Sequence, residues 1–296
     1  MRLSYLNNQF IPHNEALVHI EDRGFQFADG IYEVILFANN KLIDADEHIN
    51  RLFGGLNEIG IKINKSKKEI HDIIIECFSK NNLSDGYVYL QITRGQHARI
   101  QTCPDVEATI TMSVSPRKII SSAEFEKGFS AATAQDVRWL KCNIKTVGLL
   151  AASLTRHKVD HLGACEAILV RLKDYFGLTP TEVQLNNGTV TEGCFSNLFI
   201  VDQNNNLITK NADNLILQGI TRNRIIALAQ KNGINVIEKE FTRLELYAAK
   251  EVFLTSTTLF VRPIISIDGK QIGDGKVGEI SRKLMGLYQE FVEASK

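Results

Sequence analysis

The chain has 296 residues, 44% of them hydrophobic and 23% charged, the composition of a globular protein long enough to bury a core without disulfide staples. Its 34 basic and 34 acidic side chains cancel, which excludes a bulk electrostatic pull toward nucleic acid or an anionic membrane surface. The five cysteines, Cys77, Cys103, Cys142, Cys165 and Cys194, form no CxxC pair and no metal-like spacing with histidine, so a reduced, cytoplasmic chain without a metal is expected.

The first ten residues contain no apolar h-region, and apolar runs such as 147–154 are too short to span a bilayer, so neither a signal peptide nor a membrane span is expected. Ile70, Ile73, Ile74 and Cys77 recur at helical spacing behind Ser66 and Glu69, a capping-box pair, which predicts a helix over 66–80. Tyr87-Val-Tyr-Leu-Gln-Ile-Thr and Ala108-Thr-Ile-Thr-Met-Ser-Val read as strands on either side of a polar loop at 96–105. Ser115-Pro-Arg-Lys-Ile-Ile-Ser-Ser reads as a linker. The division is therefore an N-terminal domain over 1–114, a linker at 115–121 and a C-terminal domain over 122–296.

In the second domain a helix is expected over 147–162, stopped by Gly163. Strands follow at 166–171 and 197–201, then a helix over 221–231 ending at Asn232-Gly233. A strand at 251–255 runs into a Ser/Thr loop, and residues 278–294 form an amphipathic helix. The pattern is α/β or α+β in two domains.

Several residues have the chemistry of a site. Lys145 sits in the largely apolar Trp139-Leu-Lys-Cys-Asn-Ile-Lys-Thr-Val-Gly, where desolvation favours the neutral amine a Schiff base requires. A lysine snorkelling from a buried strand end is the plainer account of the same feature. Glu192, between Gly188 and Gly193, has the carboxylate that a pyridine nitrogen needs, or is an ordinary hairpin glutamate. Gln218-Gly-Ile-Thr-Arg opens a helix whose free N–H groups suit a phosphate, or is only an N-cap. Thr255-Ser-Thr-Thr offers further hydroxyls. Arg51 offers a guanidinium fork, or a surface ion pair with Glu47 four residues earlier. The order decides between these accounts. Arginine, lysine, glutamate, glycine-led helix and Ser/Thr loop match in turn a phosphate, an aldehyde, a ring nitrogen and the phosphate again.

At these residues the chain resembles the class IV aminotransferases, the fold-type IV pyridoxal-phosphate enzymes, and within them the D-amino-acid transaminase branch. The likeness lies in Glu21-Asp-Arg-Gly-Phe-Gln-Phe-Ala-Asp-Gly-Ile-Tyr-Glu-Val, Glu47-His-Ile-Asn-Arg-Leu, Asp136-Val-Arg-Trp-Leu-Lys-Cys-Asn-Ile-Lys, Thr189-Val-Thr-Glu-Gly, Leu217-Gln-Gly-Ile-Thr-Arg, Thr255-Ser-Thr-Thr and Ile267-Asp-Gly-Lys. It implies a smaller N-terminal and a larger C-terminal α/β domain with pyridoxal 5'-phosphate between them, in a homodimer. It implies that Lys145 carries the cofactor and shuttles a proton to and from the substrate's Cα. Glu192 would meet the pyridine nitrogen and Leu217 would pack on the ring. Arg51, Ile220, Thr221, Ser256 and Thr257 would hold the phosphate. Tyr32 and Arg99 match two of the branch's three carboxylate-binding residues, and the third position holds Gln101 where the branch has histidine. The chain also departs from the branch in an extra stretch within 172–184 and at Leu36.

The implied reaction is ping-pong transamination between a D-amino acid of the D-alanine type and a 2-oxo acid such as 2-oxoglutarate, through a pyridoxamine form. Aminodeoxychorismate lyases, (R)-amine transaminases and branched-chain amino acid transaminases share the fold; Arg99 and the match over 22–34 favour the D-amino-acid branch. A non-catalytic binding protein of this fold would be marked by loss of Lys145 or Glu192, and both are present.

Overall fold

A computed structural model describes residues 2–118, 120–173, 177 and 179–294. Ile119 of the linker and Asp174, Tyr175, Phe176 and Leu178 of the extra stretch lie outside the described residues. The chain divides into two compact units, one of Met1–Lys118 with Ile144–Leu149 and Val292–Lys296, the other of Ile119–Asn143 with Leu150–Phe291.

The first unit contains the strands β1 (Leu3–Leu6), β2 (Gln9–Pro12), β3 (Gly30–Ala38), β4 (Lys41–Leu42), β5 (Gly86–Thr93) and β6 (Thr109–Ser115) and the helices α1 (Arg23–Phe27), α2 (Ala45–Glu58) and α3 (Lys67–Lys80). The strands join in the order β2-β1-β6-β5-β3-β4. α3 starts at the expected capping box: Ser66 accepts from the Glu69 amide, and the Glu69 carboxylate accepts from the Ser66 amide. Along β3 and β5 alternate residues point inward, so Ile31, Ile35, Val88, Leu90 and Ile92 meet Leu52 and Leu56 of α2 and Ile70, Ile74 and Phe78 of α3. Each such side chain contributes about 1.5–3 kcal/mol when fully buried.

One residue of that inward row is charged. Glu33 stands between Ile31 and Ile35 and is fully buried. Its carboxylate accepts from Nε and Nη2 of Arg51 at 2.7 and 2.8 Å and lies 2.8 Å from Nδ1 of His48. Arg51 and His48 are three residues apart on α2 and so share the face that covers β3. Burial alone would raise the Glu33 carboxyl; the Arg51 guanidinium, helped by His48, overrides it and holds the group well below the usual carboxylate range.

Residues 144–149 join the first unit because their backbone runs beside the start of β3. The Tyr32 amide donates to the Lys145 carbonyl at 3.1 Å, Thr146 forms a β-bridge with Ile31, and the Val147 amide donates to the Gly30 carbonyl at 3.1 Å. Those bonds hold the segment extended. The helix expected from 147 therefore starts only at Leu150.

The second unit contains α4 (Ser122–Lys127), β7 (Phe129–Gln135), α5 (Leu150–Asp160), β8 (Ala167–Arg171), α6 (Glu182–Asn187), β9 (Thr189–Gly193), β10 (Asn197–Val201), β11 (Leu207–Thr209), α7 (Ile220–Lys231), β12 (Val236–Glu238), α8 (Arg243–Tyr247), β13 (Glu251–Ser256), β14 (Phe260–Ile267), β15 (Lys270–Gln271) and α9 (Glu279–Ala294). Its sheet runs β12-β11-β10-β13-β14-β7-β8-β9, with β15 on β14. The parallel pairs β7–β8 and β7–β14 give the unit its α/β character, and the antiparallel pairs β8–β9, β10–β13 and β13–β14 its mixed sheet. The whole of β10 is buried, as an unbroken apolar run after Asn197 requires.

Replacing Glu33 with Gln removes the buried carboxylate that Arg51 grips and is expected to lower stability by about 3–5 kcal/mol at pH 7, read from urea unfolding. The carboxyl's folded pKa lies below its unfolded value of about 4.3, so its stabilising contribution is present above that pH and is lost as pH falls further. The wild type should lose stability steeply below about pH 4, and E33Q should lose less over the same range; equal slopes would refute the ion pair.

Candidate active site

The candidate residues gather in two places, one in each unit. In the first unit Tyr32 lies on the β3 face opposite Glu33. The Lys145 Nζ sits over its ring, 4.3 Å from the centroid. The Tyr89 ring stacks on Tyr32 at 5.6 Å between centroids. Lys145 is half-buried, and the backbone bonds of 144–147 to β3 fix where its side chain starts. Arg51 belongs to the same neighbourhood through Glu33, the residue after Tyr32, but its Nε and Nη2 edge grips a carboxylate of the protein itself.

Arg99 and Gln101 are both exposed, on the loop after β5. The Arg99 guanidinium lies 4.4 Å from the centroid of the Phe27 ring, which Arg23 also approaches, at 4.5 Å. The root of the loop is fixed by Arg94, whose guanidinium donates to Asp29 and to the carbonyls of Ile59 and Gly60. The loop thus carries both side chains on an element separate from the strand that holds Tyr32.

In the second unit the sequence folds back sharply between β9 and β10, and Glu192 and Asn197 stand at the two ends of that turn. A Cβ at Gly193 would lie 2.2 Å from the Ser196 Oγ and 3.0 Å from the Glu166 Cγ, so any larger residue there would force those side chains to shift. Glu192 is buried at 4% exposure. Its carboxylate accepts from Arg138 Nη1 at 2.6 Å, from Asn197 Nδ2 at 2.9 Å and from the Leu217 amide at 3.1 and 3.2 Å. Burial pushes the Glu192 carboxyl up to about 7 against the pull of Arg138. Arg138 is itself aimed by Asp136, which takes its Nε and Nη2 at 2.9 and 3.0 Å, and by the Leu215 carbonyl at 3.3 Å. Asp136 in turn accepts from the buried Thr191 hydroxyl and pairs with Arg171 at 3.1 Å.

Asn197 ties the remaining pieces together. Its Nδ2 also donates to the Leu217 carbonyl at 2.8 Å, and its Oδ1 lies where a Cβ on Gly219 would be, 2.0 Å away. Gly219 is the N-cap of α7 and supplies no side-chain cap, so the start of that helix, at Ile220 and Thr221, presents a positive dipole end of the kind that suits an anion. Across the β10–β13 ladder Asn197 faces Thr255, whose buried Oγ1 has no described hydrogen-bond partner. Ser256 and Thr257 follow, both half-buried.

Glu192, Leu217, Ile220, Thr221, Ser256 and Thr257 are thus brought to one end of the second unit's sheet. The donor set fits a phosphate-bearing pyridine. A buried carboxylate suits a ring N–H, and the uncapped helix start with an orphan hydroxyl nearby suits a phosphate. The sequence reading missed Glu33, His48, Arg138, Asp136 and Asn197. Their signals were present: a charge in an apolar strand, a polar residue opening one, and an Asp-x-Arg before the lysine. Which carboxylate meets which cation was not legible.

The family description "Amino-transferase class IV" matches residues 30–267. A D-alanine aminotransferase of Listeria monocytogenes is 41% identical over 294 residues, covering 97% of this chain and 94% of its own length. One of Bacillus licheniformis is 39% identical over 291 residues, covering 97% and 95%. Among solved structures, a branched-chain amino acid aminotransferase of T.th., solved with pyridoxamine 5'-phosphate, superposes with a TM-score of 0.88 at 24% identity, over 99% of this chain and 95% of its own, a likeness of fold. The chain belongs to the class IV aminotransferases.

Proposed function

We propose that this chain is a pyridoxal-phosphate-dependent transaminase that moves the amino group of a D-amino acid, of the D-alanine type, to a 2-oxo acid such as 2-oxoglutarate. The observation that carries this is the full-length similarity, at 41% identity, to a D-alanine aminotransferase. The clamped carboxylate of Glu192 supports the choice of cofactor.

The bound cofactor supplies an aldehyde that condenses with amines and a ring that takes up electrons from the substrate's Cα. The protein supplies the rest. Lys145 would hold the cofactor through its amine, and the same amine is the general base for the substrate's Cα proton. Glu192 holds the proton on the ring nitrogen, and the three donors on its oxygens keep it from turning away. The Ile220 and Thr221 amides, with Ser256 and Thr257, would grip the phosphate, and Leu217 would pack on the ring. Arg51, engaged with Glu33 along one edge, adds positive charge for the phosphate. Tyr32 and Arg99 bind the substrate carboxylate, Arg99 by a two-bond fork, and Gln101 donates without adding charge.

The assembly is a cytoplasmic homodimer in which loops of the neighbouring subunit help to close each site. Leu17, Ile20, Phe25 and Leu150 support this, being more than 70% exposed on the single chain.

The test mixes cofactor-loaded protein with D-alanine and, separately, with L-alanine, and follows the cofactor's visible absorbance. Loss of the band with D-alanine only is expected. Loss with L-alanine only would move the chain to the L-amino-acid branch. Loss with neither, although the cofactor is bound, would refute an alanine-type substrate.

Lys145→Ala is expected to lower kcat by roughly 10²–10⁴-fold and to leave the cofactor removable by dialysis. Glu192→Gln should lower kcat by roughly 10²-fold with the cofactor still bound. A Glu192→Gln enzyme within twofold of wild type would remove Glu192 from the mechanism.

A further inference from the structure

Outside the site just described, two histidines converge on the surface of α5. His157 lies in its last turn and His161 directly after its end, four residues on, so both project from one face. Both are exposed, and their Nε2 atoms approach to 3.2 Å, with ring centroids 4.6 Å apart.

The backbone holds this approach in place. The helix ends in a closed turn: the Ala164 amide donates to the Val159 carbonyl at 3.2 Å, and the Gly163 amide donates to the Asp160 carbonyl at 2.9 Å. Gly163 takes the left-handed conformation such a stop requires, at φ +73°. Val159 and Ala164 are buried, which anchors both sides of His161. The neighbouring Asp160 carboxylate is drawn to Arg156 at 3.1 Å, leaving the imidazoles to face each other.

Two neutral imidazoles with unprotonated Nε2 atoms would set lone pair against lone pair, a conflict that a shared proton or a shared cation relieves. Two nitrogens bound to one late first-row cation at about 2.0–2.1 Å, at an angle near 90–110°, lie about 2.9–3.4 Å apart. The observed 3.2 Å falls in that range. Two histidines at this spacing on a helix are a known chelating arrangement, and imidazole suits zinc, copper and nickel.

We propose that His157 and His161 form a surface binding site for one divalent late first-row cation, held by the two Nε2 atoms with its other positions open to water or exchangeable ligands. The bound cation links the last helical turn of α5 to the residue beyond it and so staples that end of the helix.

The test titrates Ni2+ alone into tag-free, cofactor-loaded, full-length protein by calorimetry in a non-chelating buffer. One Ni2+ per chain is expected in the wild type. His157→Gln and His161→Gln should each weaken binding at least tenfold, because a chelate needs both ends. Cu2+ should bind more tightly than Ni2+. Moving the second imidazole one residue on, in the double variant H161Q with L162H, turns it off the shared face and should not restore binding. All these variants should keep the wild-type transamination rate without metal, which shows that they fold. Ni2+ affinity within twofold between wild type and the single variants, no binding to the wild type, or restoration by L162H would each overturn the site.

Discussion

A carboxylate buried without water has to be surrounded by donors, and in the second unit that requirement organises everything near Glu192. Its oxygens accept from Arg138, Asn197 and the Leu217 amide, and each of those donors is fastened in turn. Arg138 is held by Asp136, which answers to Thr191 and Arg171. Asn197 opens the fully buried strand β10 and bonds the Leu217 carbonyl. Leu217 leads directly into Gly219 and the uncapped start of α7. The contacts that make the carboxylate tolerable also fix the segment that would meet a phosphate. One set of hydrogen bonds therefore holds both the Glu192 carboxylate and the chain that leads into α7.

The first unit solves a similar problem differently. Glu33 carries its charge into an apolar row, where Arg51 neutralises it and His48 hydrogen-bonds it from the same helix face. This pins α2 onto β3 in a single register, because sliding the helix by a turn would leave a buried charge unpaired. On the other face of β3, Tyr32 supports Lys145, whose own segment is tied to the strand through its backbone. The lysine thus gains a fixed origin from an element that in sequence lies far from it. An extended stretch that borrows the edge of a distant strand cannot also be helical, which is why α5 begins later than its apolar pattern suggests.

Much of the local structure was legible. The capping box of Ser66 and Glu69, the strands read at 87–93 and 108–114, and the helix stopped by Asn232-Gly233 all follow from signals contained within a few residues. The candidate cofactor residues were read as an ordered set, because each chemical group needs a particular side chain. Arg51 was readable as a cation, but its commitment to Glu33 was not, since nothing in either local stretch names the other.

The sequence by itself determined which residue types are available, the α/β pattern of elements and the membership of the chain in its family, because periodicity, caps and motifs act over short ranges. The tertiary structure decided which charges meet, which face of β3 carries Tyr32 beside Lys145 and which is core, and that residues 144–149 belong with a strand more than a hundred residues earlier. Those choices depend on burial. A buried charge is tolerated only where its partner is also delivered, and two partners far apart in the chain are brought together only when the sheet has formed.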